Sequence, residues 1–286
     1  MTPIIEARGL SKKYRGGTQA VAAVDFTVGP GRIVGLIGRN GAGKTTVIKS
    51  LLGLTPYDGQ LKVLGRDPTT ERGLLMTEVS FIADVAVLPK WLRVRQALDY
   101  VQGVHPAFNR ERAEQFLSIT DVKLTHKVRE LSKGMVTQLH LALVLAIRAR
   151  LLVLDEPTLW LDLLVRRRFY DTLLNDYMDE ERTILVTTHQ VEEIEYLLTD
   201  VIFIEQGRIA LDTPVDQLGE RYSQLIVRPD QLSAARSFGP FNERSILGRT
   251  VLFYENVPRD QLAVLGEVGT PTIADLFVAR MQKEAA

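Results

Sequence analysis

Apolar and polar positions change their period along the chain. Up to about residue 90, short apolar runs bounded by polar turns predict strands at 4–7, 21–28, 33–37, 61–64 and 79–82. Val47, Ile48, Leu51 and Leu52 instead follow helical spacing, directly after a glycine-rich segment. Helical spacing then takes over. Val94, Ala97, Leu98 and Val101 mark one helix and Ala113, Phe116 and Leu117 a second, with Gly103 and Pro106 in the break between them. From 131 to 200 the periods alternate, predicting helix 133–147, strand 151–154, helix 161–178, strand 183–187 and helix 191–198. Strand 151–154 is apolar at every position, as a parallel strand covered on both faces requires. This succession predicts an α/β sheet with crossover helices. A hairpin follows, 201–204 with 208–211 around Gln206-Gly207. Beyond Thr213-Pro214, segments 224–227 and 250–254 read as strands and 273–281 as a helix, a small α+β appendage over 218–286 without a chemical motif.

The glycine-rich segment is Gly38, Arg39, Asn40, Gly41, Ala42, Gly43, Lys44, Thr45 and Thr46, which fits G-x-x-x-x-G-K-[ST] between a predicted strand and a predicted helix. Glycines let backbone N–H groups turn inward around an anion, and the helix N-terminus adds its positive dipole end. Lys44 is expected to reach the β- and γ-phosphates of a nucleotide, and the Thr45 hydroxyl to hold Mg²⁺. A second signal is the apolar strand that ends in Asp155, Glu156 and Pro157. Ligands of α/β sheets bind beyond the carboxyl ends of strands. There Asp155 can hold Mg²⁺, while Glu156 can polarise or deprotonate an attacking water.

Composition narrows the setting. The 286 residues carry 35 Lys+Arg and 35 Asp+Glu, so no net charge favours broad capture of nucleic acid, and no nucleic-acid partner is expected. The absence of cysteine excludes disulfides and thiolate metal sites and suits a reducing compartment. No signal-like segment opens the chain, and no uncharged apolar stretch reaches the roughly 20 residues of a membrane span. Attachment to a membrane would therefore run through a partner.

In order along the chain stand the phosphate loop, Leu131-Ser132-Lys133-Gly134-Met135 at a predicted helix start, Asp155-Glu156-Pro157-Thr158, Leu161-Asp162 and Thr187-Thr188-His189. In this order they resemble the nucleotide-binding subunit of ABC transporters. The resemblance covers about 3–217, with a helical insert at about 93–148. It implies a P-loop NTPase fold of the ABC ATPase type with a β-subdomain, ATP and Mg²⁺ as ligands, and a head-to-tail pair formed with a second copy or a paralogous ATPase. In that pair Ser132 and Gly134 would face the γ-phosphate held by the other subunit. It further implies that Tyr14 stacks on adenine, that His189 touches the γ-phosphate and orients the water, and that Asp162 contacts the other subunit. Read from the residues alone, Ser132 also fits an ordinary helix cap, and Tyr14 a surface or core ring.

Several positions depart from the family pattern. Asp84 stands in place of a glutamine that touches Mg²⁺, Lys133 in place of a signature glycine, Met135 in place of a polar residue, and Trp160 in place of the glycine before Leu161-Asp162. The apolar loop 83–92 falls where the family docks the coupling helix of its membrane-spanning subunit, and a loop tucked on its own domain is the competing reading. Arg166-Arg167-Arg168 reads as a solvated or salt-bridged helix face. The ending Pro271-Thr272-Ile273-Ala274-Asp275-Leu276-Phe277 resembles that of ATPases from bacterial ABC-2-type exporters. It tilts the expectation towards export over import, with the protein peripheral on the cytoplasmic face of the membrane. A soluble ABC-type ATPase acting on ribosomes or DNA is the alternative outside transport. A GTPase or small-molecule kinase is disfavoured by the lack of an Asn-Lys-x-Asp sequence.

Overall fold

The computed structural model describes residues 2–82 and 88–281. Strands β1 (Ile5–Lys13) and β2 (Gln19–Val28) form an antiparallel pair, and β3 (Ile33–Ile37) leads through the glycine loop into helix α1 (Lys44–Leu51). β4 (Asp58–Val63) returns to pair with β1, giving a three-stranded sheet β2-β1-β4. A single turn, α2 (Arg72–Leu75), precedes β5 (Val79–Ile82). Helices α3 (Val94–Val104), α4 (Arg110–Ser118) and α5 (Lys133–Leu145) then enclose an apolar cluster of their own, with Val94, Leu98, Ala113, Leu117, Leu139 and Ala142 at its centre. β6 (Leu151–Asp155), α6 (Leu163–Thr172), β7 (Thr183–Thr188), β8 (Asp200–Glu205) and β9 (Arg208–Pro214) complete the main sheet.

That sheet has the order β5-β6-β7-β3-β8-β9, parallel except for the β8–β9 hairpin. Strand alternation sorts its residues into two cores, because successive side chains point to opposite faces. Ile33, Ile37, Leu152, Leu154, Ile184, Val186 and Phe203 face one cluster with α6. Val34, Leu36, Leu151, Val153, Leu185 and Ile202 face the other, with α1 and the three-stranded sheet.

The remaining chain builds an antiparallel sheet β11-β12-β10-β13 from β10 (Tyr222–Val227), β11 (Asn242–Ile246), β12 (Arg249–Glu255) and β13 (Gly266–Gly269), interleaved with short helices α7 (Leu218–Arg221), α8 (Leu232–Arg236) and α9 (Arg259–Ala263). The last helix, α10 (Ile273–Met281), lies between this sheet and the main one. Ile273 and Leu276 join the cluster of Ile33 and Phe203, while Ala279 meets Val251 and Phe253.

Two expectations change. Segment 191–198 is two single 3₁₀ turns, Val191–Glu193 and Glu195–Leu197, in which Val191, Ile194, Leu197 and Leu198 are all buried and the Glu195 carboxylate accepts from Ile273 N–H of α10. Helix 161–178 begins later, since Asp162 caps it by accepting from Leu164 N–H and Val165 N–H, and its last turn widens to a π-turn at Leu173–Tyr177. No described helix is long and apolar enough to cross a membrane.

Candidate functional site

Three neighbouring strands end side by side. In the sheet order β7 lies between β6 and β3, so the segments after Ile37, Asp155 and Thr188 emerge at one edge. The loop after Ile37 is built for close packing. A Cβ on Gly38 would stand 2.4 Å from the Ile204 carbonyl oxygen, and one on Gly43 2.5 Å from that of Ala20. Gly43 also sits at φ +115°, where side-chain-bearing residues are strained. The Ala42 carbonyl accepts from Gly207 N–H at 2.9 Å, tying the loop to the β8–β9 turn. No side chain caps α1, so the N–H groups of its first turn are left for an anion.

Lys44, only 6% exposed, crosses the loop and donates to the Gly38 carbonyl at 2.6 Å. Its ammonium lies 3.5 Å from Glu156 Oε1. The other carboxylate oxygen, Oε2, is 3.0 Å from His189 Nδ1. Glu156 thus stands between a cation and an imidazole, and its backbone is left-handed (φ +48°) immediately before Pro157. Such a non-glycine conformation costs about 1–3 kcal/mol and persists where its surroundings over-determine it. Here Glu156 N–H donates to both the carbonyl and the hydroxyl oxygen of Thr187, each at 3.2 Å.

Asp155 is 2% exposed. Its Oδ1 accepts from the Thr187 hydroxyl at 2.6 Å and its Oδ2 from the Thr45 hydroxyl at 3.1 Å. Thr187 serves both carboxylate residues, a position the sequence reading left without a role. Only the register across strands, Asp155 opposite Thr187, brings it into view.

The other expected residues are placed as follows. Arg39, Asn40 and Gly41 form the exposed tip of the loop, and Thr46 lies in the first turn of α1, its hydroxyl 3.4 Å from that of Tyr14. The Tyr14 ring is half open to solvent, with Lys12 Nζ 5.2 Å from its centre. Ser132 and Gly134 have other neighbours in this chain. The Ser132 hydroxyl accepts from Met135 N–H at 3.2 Å as the cap of α5, and a Cβ on Gly134 would stand 2.9 Å from the Trp160 carbonyl oxygen. Lys133 and Trp160, both departures from the family pattern, meet each other: the ammonium lies 4.2 Å from the ring centre, a cation–π contact. Asp84 lies outside the described residues.

The family model described as ABC transporter matches residues 21–159. The ABC transporter ATP-binding protein YtrB of Bacillus subtilis is 30% identical over 230 residues, 78% of this chain and 76% of that protein. The Nod factor export ATP-binding protein I of Rhizobium etli is 32% identical over 268 residues, 89% of this chain and 83% of its own length. Among solved structures, one titled as the ATP binding subunit of an ABC transporter superposes with a TM-score of 0.69 at 25% identity, covering 75% of this chain and 91% of its own. The chain therefore belongs to the ABC transporter family, as an ATP-binding subunit with an ATPase domain.

Proposed function

We propose that this chain hydrolyses ATP to power export through a separate membrane-spanning subunit, with Glu156 as general base and His189 as its orienting partner. One observation carries the chemistry: the Glu156 carboxylate is held between Lys44 and His189 at the mouth of the phosphate loop. In the nucleotide-bound state the triphosphate follows the first-turn N–H groups of α1, and Lys44 turns from Glu156 to the β- and γ-phosphates. Glu156, relieved of its cation, accepts the proton of the attacking water, and His189 steadies the carboxylate and the γ-phosphate. Gly38 to Thr46 cradle the phosphates and Tyr14 stacks on the adenine.

Magnesium fits the donors present. Thr45 and Asp155 offer hard oxygens within 3.1 Å of each other, and no described group of three or more His, Cys, Asp or Glu forms a closed metal cage. A site that supplies one hydroxyl and one carboxylate, and leaves the remaining positions to phosphate and water, suits Mg²⁺. The metal would neutralise charge on the β- and γ-oxygens. Asp84 is proposed as a further contact on the strength of its place in the sequence.

In this reading two copies, or this chain and a paralogous ATPase, pair head to tail, and Ser132 and Gly134 of each complete the other's site. The chain divides into a nucleotide-binding domain, 3–217, with its helical insert at 93–148, and an accessory unit, 218–286. Export is favoured by relatives whose names specify Nod factor export and daunorubicin resistance, and by the 271–277 ending. Trp91, 69% exposed, offers the membrane subunit an apolar contact, while Leu88 and Leu92 pack on the helical cluster. That subunit would hold the chain on the cytoplasmic face of the membrane.

The test is Glu156→Gln in the full chain. It should bind ATP while losing at least about a hundredfold in turnover, and unimpaired hydrolysis would refute the assignment. Lys44→Ala should weaken nucleotide binding itself. Pull-down from detergent-solubilised membranes should recover a multispanning protein and not ribosomes.

A further inference from the structure

The run Arg166-Arg167-Arg168 does not behave as one face. Arg167 and Arg168 are exposed, whereas Arg166 turns inward. Its Nη1 pairs with Glu193 Oε1, and both side chains are mostly buried, 15% and 25% exposed. Its Nη2 donates to the Leu161 carbonyl at 3.1 Å and, at longer range, to that of Thr158 at 3.4 Å.

The two segments joined in this way are the ones that carry Glu156 and His189. Each leaves the carboxyl end of its strand as a short turn of single i→i+3 bonds. One is held by Leu159 N–H to Glu156 O at 3.4 Å and Leu161 N–H to Thr158 O at 3.0 Å, the other by Gln190 N–H to Thr188 Oγ1 at 2.9 Å, Glu193 N–H to Gln190 O at 3.3 Å and Ile194 N–H to Val191 O at 3.0 Å. Bonds of the 3₁₀ type have poorer geometry than those of an α-helix, so contacts from outside each turn add to its placement. The segments touch again where His189 Nδ1 meets Glu156 Oε2. Glu156, residues 157–161, Arg166, Glu193, residues 190–192 and His189 thereby close a ring, with the ion pair opposite the reacting groups.

We infer that Arg166 is a positioning residue for ATP hydrolysis: through Glu193 and the carbonyls of Leu161 and Thr158 it keeps the His189 turn and the Glu156 loop in register. The inference rests on the proposed roles of Glu156 and His189. Stability alone does not account for the pair. Burying two charges is repaid only when their remaining polar atoms are satisfied, and Arg166 Nε and Glu193 Oε2 have no partner. What the pair does supply is a forked connection between the two turns.

Steady-state ATPase assays and binding of a hydrolysis-resistant ATP analogue on the full chain test this. Arg166→Met and Glu193→Gln should each lower kcat roughly 10- to 100-fold, the scale of a small misplacement of catalytic groups. KM and analogue affinity should stay within about twofold. Arg166→Lys, which keeps the charge without the fork, should recover part of the loss. Arg166→Met added to His189→Ala should lower kcat by clearly less than the product of the two single losses, since both act through the placement of Glu156. Should Arg166→Met fail to fold, Glu193→Gln carries the same readouts. Wild-type kcat in the folded variants, or losses that multiply with His189→Ala, overturns the inference. An active Glu156→Gln would instead refute the underlying site, whereas an inactive Glu156→Gln beside fully active Arg166 variants refutes the positioning role alone.

Discussion

Thr187 shows how one side chain can hold two neighbouring residues. Its hydroxyl donates to Asp155 and accepts from Glu156 N–H, so one oxygen holds both the Asp155 carboxylate and the backbone of Glu156. Thr187→Val keeps the shape and removes both bonds. A hydrogen bond to a charged group contributes about 1.5–3 kcal/mol, and the expected outcome is a fall in turnover of at least about tenfold with the fold retained. Far-UV circular dichroism beside an ATPase assay checks it. Lys44, Thr45, Asp155 and Glu156 were each legible as candidates, because their chemistry follows from residue type and from position after a strand, and His189 was legible through the family resemblance. Thr187 and Arg166 were not. Threonine is ordinary in a strand, and arginine in a polar helical run reads as solvated or salt-bridged without naming the partner; only the packing shows what each one faces.

Elements were legible where period and packing agree. Strand 79–82 and helix 273–281 have the predicted limits. β11 and β13 went unread because Asn242–Ile246 and Gly266–Gly269 carry little apolar alternation and exist as strands through pairing with β12 and β10. Segment 191–198 has helical spacing yet is held in 3₁₀ turns by tertiary contacts, an override of local propensity. On α5, the burial of His140 pushes its pKa down to about 4 from 6.5. The folded chain thus keeps this imidazole neutral while the unfolded chain takes up a proton below about pH 6.5. Stability tied to His140 is present above pH 6.5 and lost as pH falls towards 4, by up to roughly 3 kcal/mol. Denaturant unfolding at pH 7 and pH 4.5 should show a smaller difference for His140→Gln than for the parent chain.

At the scale of the molecule, α10 joins the C-terminal sheet to the ATPase core. Glu195 Oε2 accepts from the N–H groups of Ile273 and Ala274, and Phe277 meets Phe203 edge to face at 5.3 Å. Leu276, fully buried in the same cluster as Ile33 and Ile184, carries the connection into the main sheet. Leu276→Ala should destabilise by about 2–5 kcal/mol, the range for a buried leucine truncated in a packed core. Thermal unfolding should show the loss in the main transition, since the cavity opens in the shared core.

The amino-acid order by itself determined the parallel strands, the glycine loop with its lysine and threonine, and the carboxylates after an apolar strand. These features depend on neighbours in sequence, where backbone geometry and hydrophobic period act directly. Tertiary structure alone decided that β7 lies between β6 and β3, that Thr187 serves both carboxylate residues, that Arg166 faces inward and that α10 shares the ATPase core. Each of these depends on strand order and on burial between distant segments, and hydrophobic burial is non-directional: it requires that apolar residues be covered without specifying in the sequence which segment covers them.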